Sequence, residues 1–81
     1  MATLTAEQRL AAILLRLADA TTGAVEGFTQ EELAEMSGTI RQTVARILAG
    51  WQRQRLVEVR RRSVRIVLRE KLAALAAGRR A

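Results

Sequence analysis

The apolar residues keep a helical period as far as Gln54 and switch to a period of two after Leu56, and this switch limits the fold more than any other feature. A stripe at i, i+3, i+4 and i+7 can bury only one face of a helix, whereas strict alternation can bury only one face of a strand. Leu10, Ile13, Leu14 and Leu17 form the first helical stripe. Thr5 with Gln8 three residues later fits a capping box, so a helix is predicted over residues 5–19. The run Thr21-Thr22-Gly23 breaks it, and residues 25–28 read as an extended connector or a minor strand. Thr29 and Glu32 repeat the capping box and open a short helix that carries Leu33 and Met36 inward. Ser37-Gly38 ends this helix, with glycine where the chain needs a positive φ to leave. Thr39 is expected to cap a third helix over residues 40–54.

Beyond Leu56, Val57 and Val59, then Val64, Ile66 and Leu68, alternate with charged residues. They predict a hairpin over residues 56–69 that turns at residues 61–63. A short Ala/Leu helix over residues 70–77, with a frayed basic tail, follows. At 81 residues the chain has room for one domain, 1–81, with one modest core. The expected fold class is α+β, mainly α with a small β-hairpin. Its architecture is a winged helix-turn-helix, with a three-helix core, a wing and a short C-terminal helix.

Residues 29–54 carry the four features that a helix-turn-helix requires. Ala34, four residues before Gly38, lets the helices approach. Gly38 makes the turn, while Val44 and Ile47, six and nine residues after it, pack the second helix on the first. On a helical projection Ile40, Val44, Ile47, Leu48 and Trp51 share one face, so Ile40 and Trp51 are assigned to the core. Base stacking is the lesser reading of Trp51. The opposite face holds Arg41, Gln42, Ala45, Arg46, Ala49 and Arg53, long polar side chains around two alanines. Arginine can pair bidentately with guanine and glutamine with adenine. Arg41, Gln42 and Arg46, nearest the helix start, are therefore the candidate base-reading residues. Gln42 has a second possible role, closing a capping box with Thr39. Gly50 inside this helix is read as permitting a close contact.

Charge is divided along the chain in the same sense. Residues 1–40 hold two arginines against six carboxylates, a net of −4. Residues 41–69 hold nine arginines against Glu58 alone, a net of +8, and residues 70–81 add +2. Such a lopsided field suits a polyanion-binding surface. Arg53 on the third helix and Arg60, Arg61 and Arg62 at the hairpin tip suit phosphate contacts, which set affinity and register without reading sequence. A charged edge strand that blocks aggregation is the competing reading of the hairpin arginines. Absence of cysteine and histidine removes disulfides, the usual zinc ligands and the commonest general base. No cofactor, no metal and no enzymatic activity are expected, and no apolar run is long enough to span a membrane.

The run Phe28-Thr29-Gln30-Glu31-Glu32-Leu33-Ala34-Glu35-Met36-Ser37-Gly38-Thr39-Ile40-Arg41-Gln42-Thr43-Val44-Ala45-Arg46-Ile47-Leu48 closely resembles the helix-turn-helix of Crp/Fnr-type bacterial transcription regulators. The likeness extends from Arg9-Leu10-Ala11 to Leu72-Ala73-Ala74-Leu75-Ala76, nearly the whole chain. It implies a cytoplasmic, nucleoid-associated output domain that binds double-stranded DNA sequence-specifically, with Arg41, Gln42 and Arg46 at base edges. Thr29, Gln30, Thr39 and Thr43 would then be backbone-contacting positions. RNA polymerase is a further candidate partner. Members of the family usually carry an effector-binding domain and a dimerisation helix, both missing from this chain, so the isolated domain is expected to be a monomer or weak dimer. Gln42 departs from the glutamate common at its position, Arg55 from glycine or asparagine, and the hairpin turn has no glycine. Helix end and wing tip are accordingly expected to differ in shape. A nonspecific nucleic-acid binder and a winged-helix protein-interaction module are the competing functional readings.

Overall fold

The computed structural model describes residues 4–78; the basic tail at Arg79 and Arg80 lies outside them. Element order is α1 (Ala6–Leu17), β1 (Ala24–Glu26), α2 (Gln30–Ser37), α3 (Arg41–Arg53), β2 (Val57–Arg60), β3 (Ser63–Ile66) and α4 (Arg69–Ala76). Together these form a winged helix-turn-helix. α1 packs against α4 and α2, α2 against α3, and α3 against β2. One core runs through all of them, built from Leu10, Leu14, Leu33, Val44, Leu48, Trp51, Val57, Val64 and Leu72 among others.

Both capping boxes form as the sequence indicates. The Thr5 hydroxyl accepts the Gln8 N–H, and the Thr5 N–H donates in return to Gln8 Oε1 at 2.8 Å. Thr29 and Glu32 make the same exchange, at 3.0 and 2.8 Å. α1 is shorter than its stripe suggests. Asp19 turns its carboxylate onto the Thr21 and Thr22 N–H groups, a local turn that competes with further helix and leaves Leu17 exposed. Met36, expected inside, is 42% exposed, and α2 buries Leu33, Ala34 and Ser37 instead.

The third helix starts one residue later than expected, because Thr39 still belongs to the turn that ends α2. Its N–H closes α2 by bonding the Ala34 carbonyl at 2.9 Å, around Gly38 at φ 70°. Ile40 is therefore the N-cap, with no side-chain cap bond. Thr39 does not cap α3, and Gln42 does not complete a box with it. Ile40 is 61% exposed rather than part of the core, since its extended backbone (φ −107°, ψ 158°) takes it off the helical wheel. Trp51 is in the core at 1% exposure. Gly50 serves no close approach: a Cβ there would meet only the Arg53 guanidinium, at 3.8 Å.

The sheet has three strands, ordered β1-β3-β2 and antiparallel throughout; of the two readings of residues 25–28, the minor strand is the one that forms, over Ala24–Glu26. β1 pairs Val25 with Val64, and the Ile66 N–H bonds the Gly23 carbonyl at 2.8 Å. Gly23 is obligatory: at φ 74° a Cβ would lie 2.9 Å from the Ile66 carbonyl oxygen. The hairpin turn is only Arg61-Arg62, since Ser63 pairs with Arg60 in the ladder. β3 ends at Ile66, two residues before Leu68, because the Val67 and Leu68 N–H groups both turn back to the Leu56 carbonyl. Leu68 instead becomes the N-cap of α4.

Candidate nucleic-acid interface

α3 presents the face its sequence implies. Val44, Ile47, Leu48 and Trp51 are buried, and Arg41, Gln42, Ala45, Arg46, Ala49, Gln52 and Arg53 are exposed. Small Ala45 and Ala49 side chains flanked by long polar ones leave a ridge whose backbone can sit deep in a groove. Arg41 and Gln42 occupy the first two helical positions, which point their side chains past the helix start.

The structure divides the candidate residues between the two flanks of this ridge. On one flank an open cleft of about 380 Å³ is lined by Thr29, Gln30, Arg41, Arg60, Arg61 and Arg62 among others, so that Arg41, the start of α2 and the wing tip converge. On the other flank Arg46 and Arg53 line a groove of about 510 Å³ together with Thr5, Glu7 and Trp51 of the α1–α3 junction. Gln42, Thr39 and Thr43 line neither hollow, and Thr39 and Thr43 are half-buried. Arg60, Arg61 and Arg62 are exposed at the tip, where their charge is free to meet a polyanion.

Thr29 is already engaged. Its hydroxyl accepts the Glu32 N–H and donates to Glu32 Oε1 at 3.2 Å, so any phosphate contact by that hydroxyl competes with the α2 cap. The Thr29 N–H, then its hydroxyl, hold the Glu32 carboxyl below the usual carboxylate range, and the Arg62 charge adds to the effect. Asp19 is lowered likewise, by the N–H groups of Thr22 and Thr21. Glu31 lines the basic cleft and Glu32 feels the Arg62 charge, so the acidic start of α2 tempers the field of the wing.

Two residues in the wing region adopt backbone that side chains seldom tolerate. Arg55 has φ 64° and Arg62 φ 56°. At the end of α3 the Leu56 N–H bonds the Trp51 carbonyl at 2.9 Å and the Arg55 N–H the Gln52 carbonyl at 3.0 Å, the helix-ending pattern that glycine ordinarily completes. Arg55 and Arg62 thus hold backbone that glycine ordinarily supplies, with arginine in its place. Left-handed backbone costs a non-glycine residue about 1 kcal/mol.

Several positioning contacts lay beyond sequence reasoning. The Gln52 side-chain oxygen accepts the Val59 N–H at 2.7 Å, pinning β2 to α3. Arg9 of α1 donates from Nε to the Ser37 carbonyl at 2.7 Å and from its guanidinium to the Leu4 carbonyl, holding the last turn of α2. Nothing in the spacing of Gln52 or Arg9 marks these partners, which are 7 and 28 residues away. Arg65, on the outer face of the sheet, is paired with Glu58 at 2.6 Å.

Among the described residues there is no cluster of possible metal ligands, and no helix is long and apolar enough to cross a membrane. The family model described as the Crp-like helix-turn-helix domain matches residues 8–75. Among solved structures, the catabolite activator protein of Thermus thermophilus is 28% identical with a TM-score of 0.80, over 90% of this chain and 34% of that one. The CO-dependent transcription factor CooA from Carboxydothermus hydrogenoformans, in its imidazole-bound form, is 30% identical with a TM-score of 0.76, over 88% of this chain and 36% of that one. A transcriptional regulator of the CRP/FNR family, also from Thermus thermophilus, superposes with a TM-score of 0.84 over 96% of this chain and 43% of that one; at 24% identity it bears on the fold alone. This chain spans well under half the length of each of these structures. No curated protein sequence matches it. With the family model matching residues 8–75 and its winged fold shared with these regulators, the chain belongs to the Crp-like helix-turn-helix family.

Proposed function

We propose that this regulator output domain, whose DNA binding follows from its family, recognises a particular sequence by laying α3 in the major groove. Arg41, Gln42 and Arg46 read base edges there. Arg53 and the wing arginines Arg60, Arg61 and Arg62 hold the phosphates on either side, with Thr29, Gln30, Thr39 and Thr43 as lesser backbone contacts. The observation that supports this most is the exposed face of α3, polar and basic around Ala45 and Ala49, with the wing tip rising beside its first turn. An α-helix fits the width of the major groove, and guanine and adenine edges match arginine and glutamine in donors and acceptors. Gln42 favours adenine at its base step. RNA polymerase is a further partner in this reading. As a monomer the domain would meet one half-site and bind more weakly than a two-fold assembly spanning two half-sites one helical turn apart.

Fluorescence anisotropy on a duplex selected by the chain from a random pool, against a scrambled duplex and across a salt series, tests this reading. Arg46→Ala is expected to remove the preference for the selected duplex, at a cost of about 1–3 kcal/mol. Arg62→Ala is expected to weaken both duplexes alike and to lower the salt slope by about one. If the chain prefers no duplex and the two variants behave identically, sequence readout is refuted. A general polyanion binder or a protein-docking module would then remain.

A further inference from the structure

Ile40 is the most exposed large apolar side chain among the described residues, 61% open to solvent at the very start of the recognition helix. It contributes nothing to the core. It also occupies the N-cap, where serine, threonine, asparagine or aspartate would accept an N–H of the first turn. The other two helices of the trihelical core are both capped by threonine in a complete capping box, whereas α3 has no side-chain cap bond. An apolar residue at such a position gives up about a fivefold factor in the folding equilibrium. Neither folding nor solubility explains the side chain.

Its neighbours suggest what does. Ile40 is followed by Arg41 and Gln42, and its extended backbone keeps it out of the inward arc of Val44 and Ile47 and open to solvent. A surface that approaches base edges with Arg41 and Gln42 brings Ile40 to the same groove wall. The 5-methyl group of thymine is the apolar group among the donors and acceptors that bases present in the major groove. A branched aliphatic side chain has no hydrogen bond to offer the others and would strip water from them.

We infer that Ile40 packs on a thymine methyl group next to the bases met by Arg41 and Gln42, making it a specificity-determining residue of this domain. The inference rests on the reading of α3 as the base-reading helix. It also accounts for the missing cap: a polar residue there would hold the helix better and lose the methyl contact.

The test uses the full chain and the duplex it selects, with each thymine replaced in turn by deoxyuridine, which removes the methyl and leaves every hydrogen-bonding group in place. Wild type is expected to lose about fourfold in affinity at one thymine of the site, the value of one buried methyl, and little at the others. Ile40→Ala should bind the thymine and uracil duplexes equally at that position. Ile40→Ser, which restores a capping side chain, should behave like Ile40→Ala while unfolding at a higher temperature than it, which separates methyl recognition from helix fraying. A wild type that still prefers its selected duplex but ignores uracil everywhere overturns the role of Ile40 alone. So does an Ile40→Ala variant with the full uracil penalty. If no duplex is preferred at all, the reading of α3 fails and the role of Ile40 falls with it.

Discussion

The Trp51 indole N–H donates to the Glu7 carboxylate at 3.0 Å, across 44 residues of sequence, and so fastens the C-terminal half of α3 to the first turn of α1. Trp51 is 1% exposed, so this is the route by which its one polar atom is satisfied inside the core. Arg9, two residues after Glu7, holds the Ser37 carbonyl at the far end of α2. One turn of α1 thereby grips both helices of the helix-turn-helix and sets the angle between them.

Removing the Glu7 carboxylate leaves a buried indole N–H without a partner, which costs about 1–3 kcal/mol. Glu7→Ala is expected to lower the unfolding free energy by an amount in that range, while Glu7→Gln, whose amide oxygen can still accept, recovers most of it. Chemical denaturation followed by the emission of Trp51, the single tryptophan, reads both. Equal losses in the two variants would mean that the N–H is satisfied some other way.

Arg55 and Arg62 stand at positive φ, 64° and 56°, in places where glycine rests without strain. Arg55→Gly should stabilise the domain by about 0.5–1 kcal/mol, the relieved strain less the extra freedom glycine has when unfolded. Arg62→Gly should stabilise similarly but bind DNA with a shallower salt dependence, since a wing-tip charge goes with it. Urea midpoints paired with salt slopes separate the two. The same left-handed geometry should thus reveal one arginine as a structural burden and the other as a charge kept for its position.

Glu32 links the fold to pH. Its carboxyl is held below its ordinary value of 4.5 by the Thr29 N–H and hydroxyl, with Arg62 adding to the effect. A group whose pKa is lower in the folded state stabilises fully above its unfolded pKa, and the gain is lost as pH falls through the folded pKa. Asp19, lowered from 3.8 by the Thr22 and Thr21 N–H groups, acts in the same sense. Stability is therefore expected to be flat above about pH 5 and to decline below it. Glu32→Gln keeps a capping box, as Gln8 does at α1, and should flatten part of the decline. With a negative charge gone from beside Arg62, it should also raise DNA affinity modestly at low salt.

Much of this molecule is legible in the sequence because its local signals agree with its packing. Thr5 with Gln8 and Thr29 with Glu32 announce two helix starts; Gly38 announces the turn between α2 and α3; the polar face of α3 can be read from a projection. Failures occur where a residue has two possible employers. Thr39 is a good cap by type, but its N–H closes α2 and hands the cap position to Ile40, which the same projection had placed in the core. By sequence residues 25–28 fit a connector as well as a minor strand; the strand forms because β3 has a free edge to pair with, a nonlocal fact. For the candidate interface, type and face pick out the arginines. The contacts that aim them, from Gln52, Glu7 and Arg9, depend on elements meeting in space and have no sequence mark.

Gln52 shows how such a contact should bear on binding. Its side-chain oxygen accepts the Val59 N–H at 2.7 Å, on the strand that leads to Arg60 and the wing tip. The side chain itself is exposed on α3, so its removal leaves no cavity, and the freed Val59 N–H can find water. Gln52→Ala is accordingly expected to change global stability by less than about 1 kcal/mol. Its main effect falls on the wing, which loses its tie to the recognition helix and must be ordered when phosphates are engaged. Affinity should drop about threefold to tenfold for selected and scrambled duplexes alike, with base preference retained, since each side chain ordered on binding costs about 0.5–1.5 kcal/mol. Hydrogen exchange of the Val59 amide in the free protein checks the premise, because protection there should fall in the variant while the amides of α3 keep theirs. If Gln52→Ala changes the base preference instead, Gln52 belongs with Arg41 and Arg46 at the base edges and not to the support of the wing.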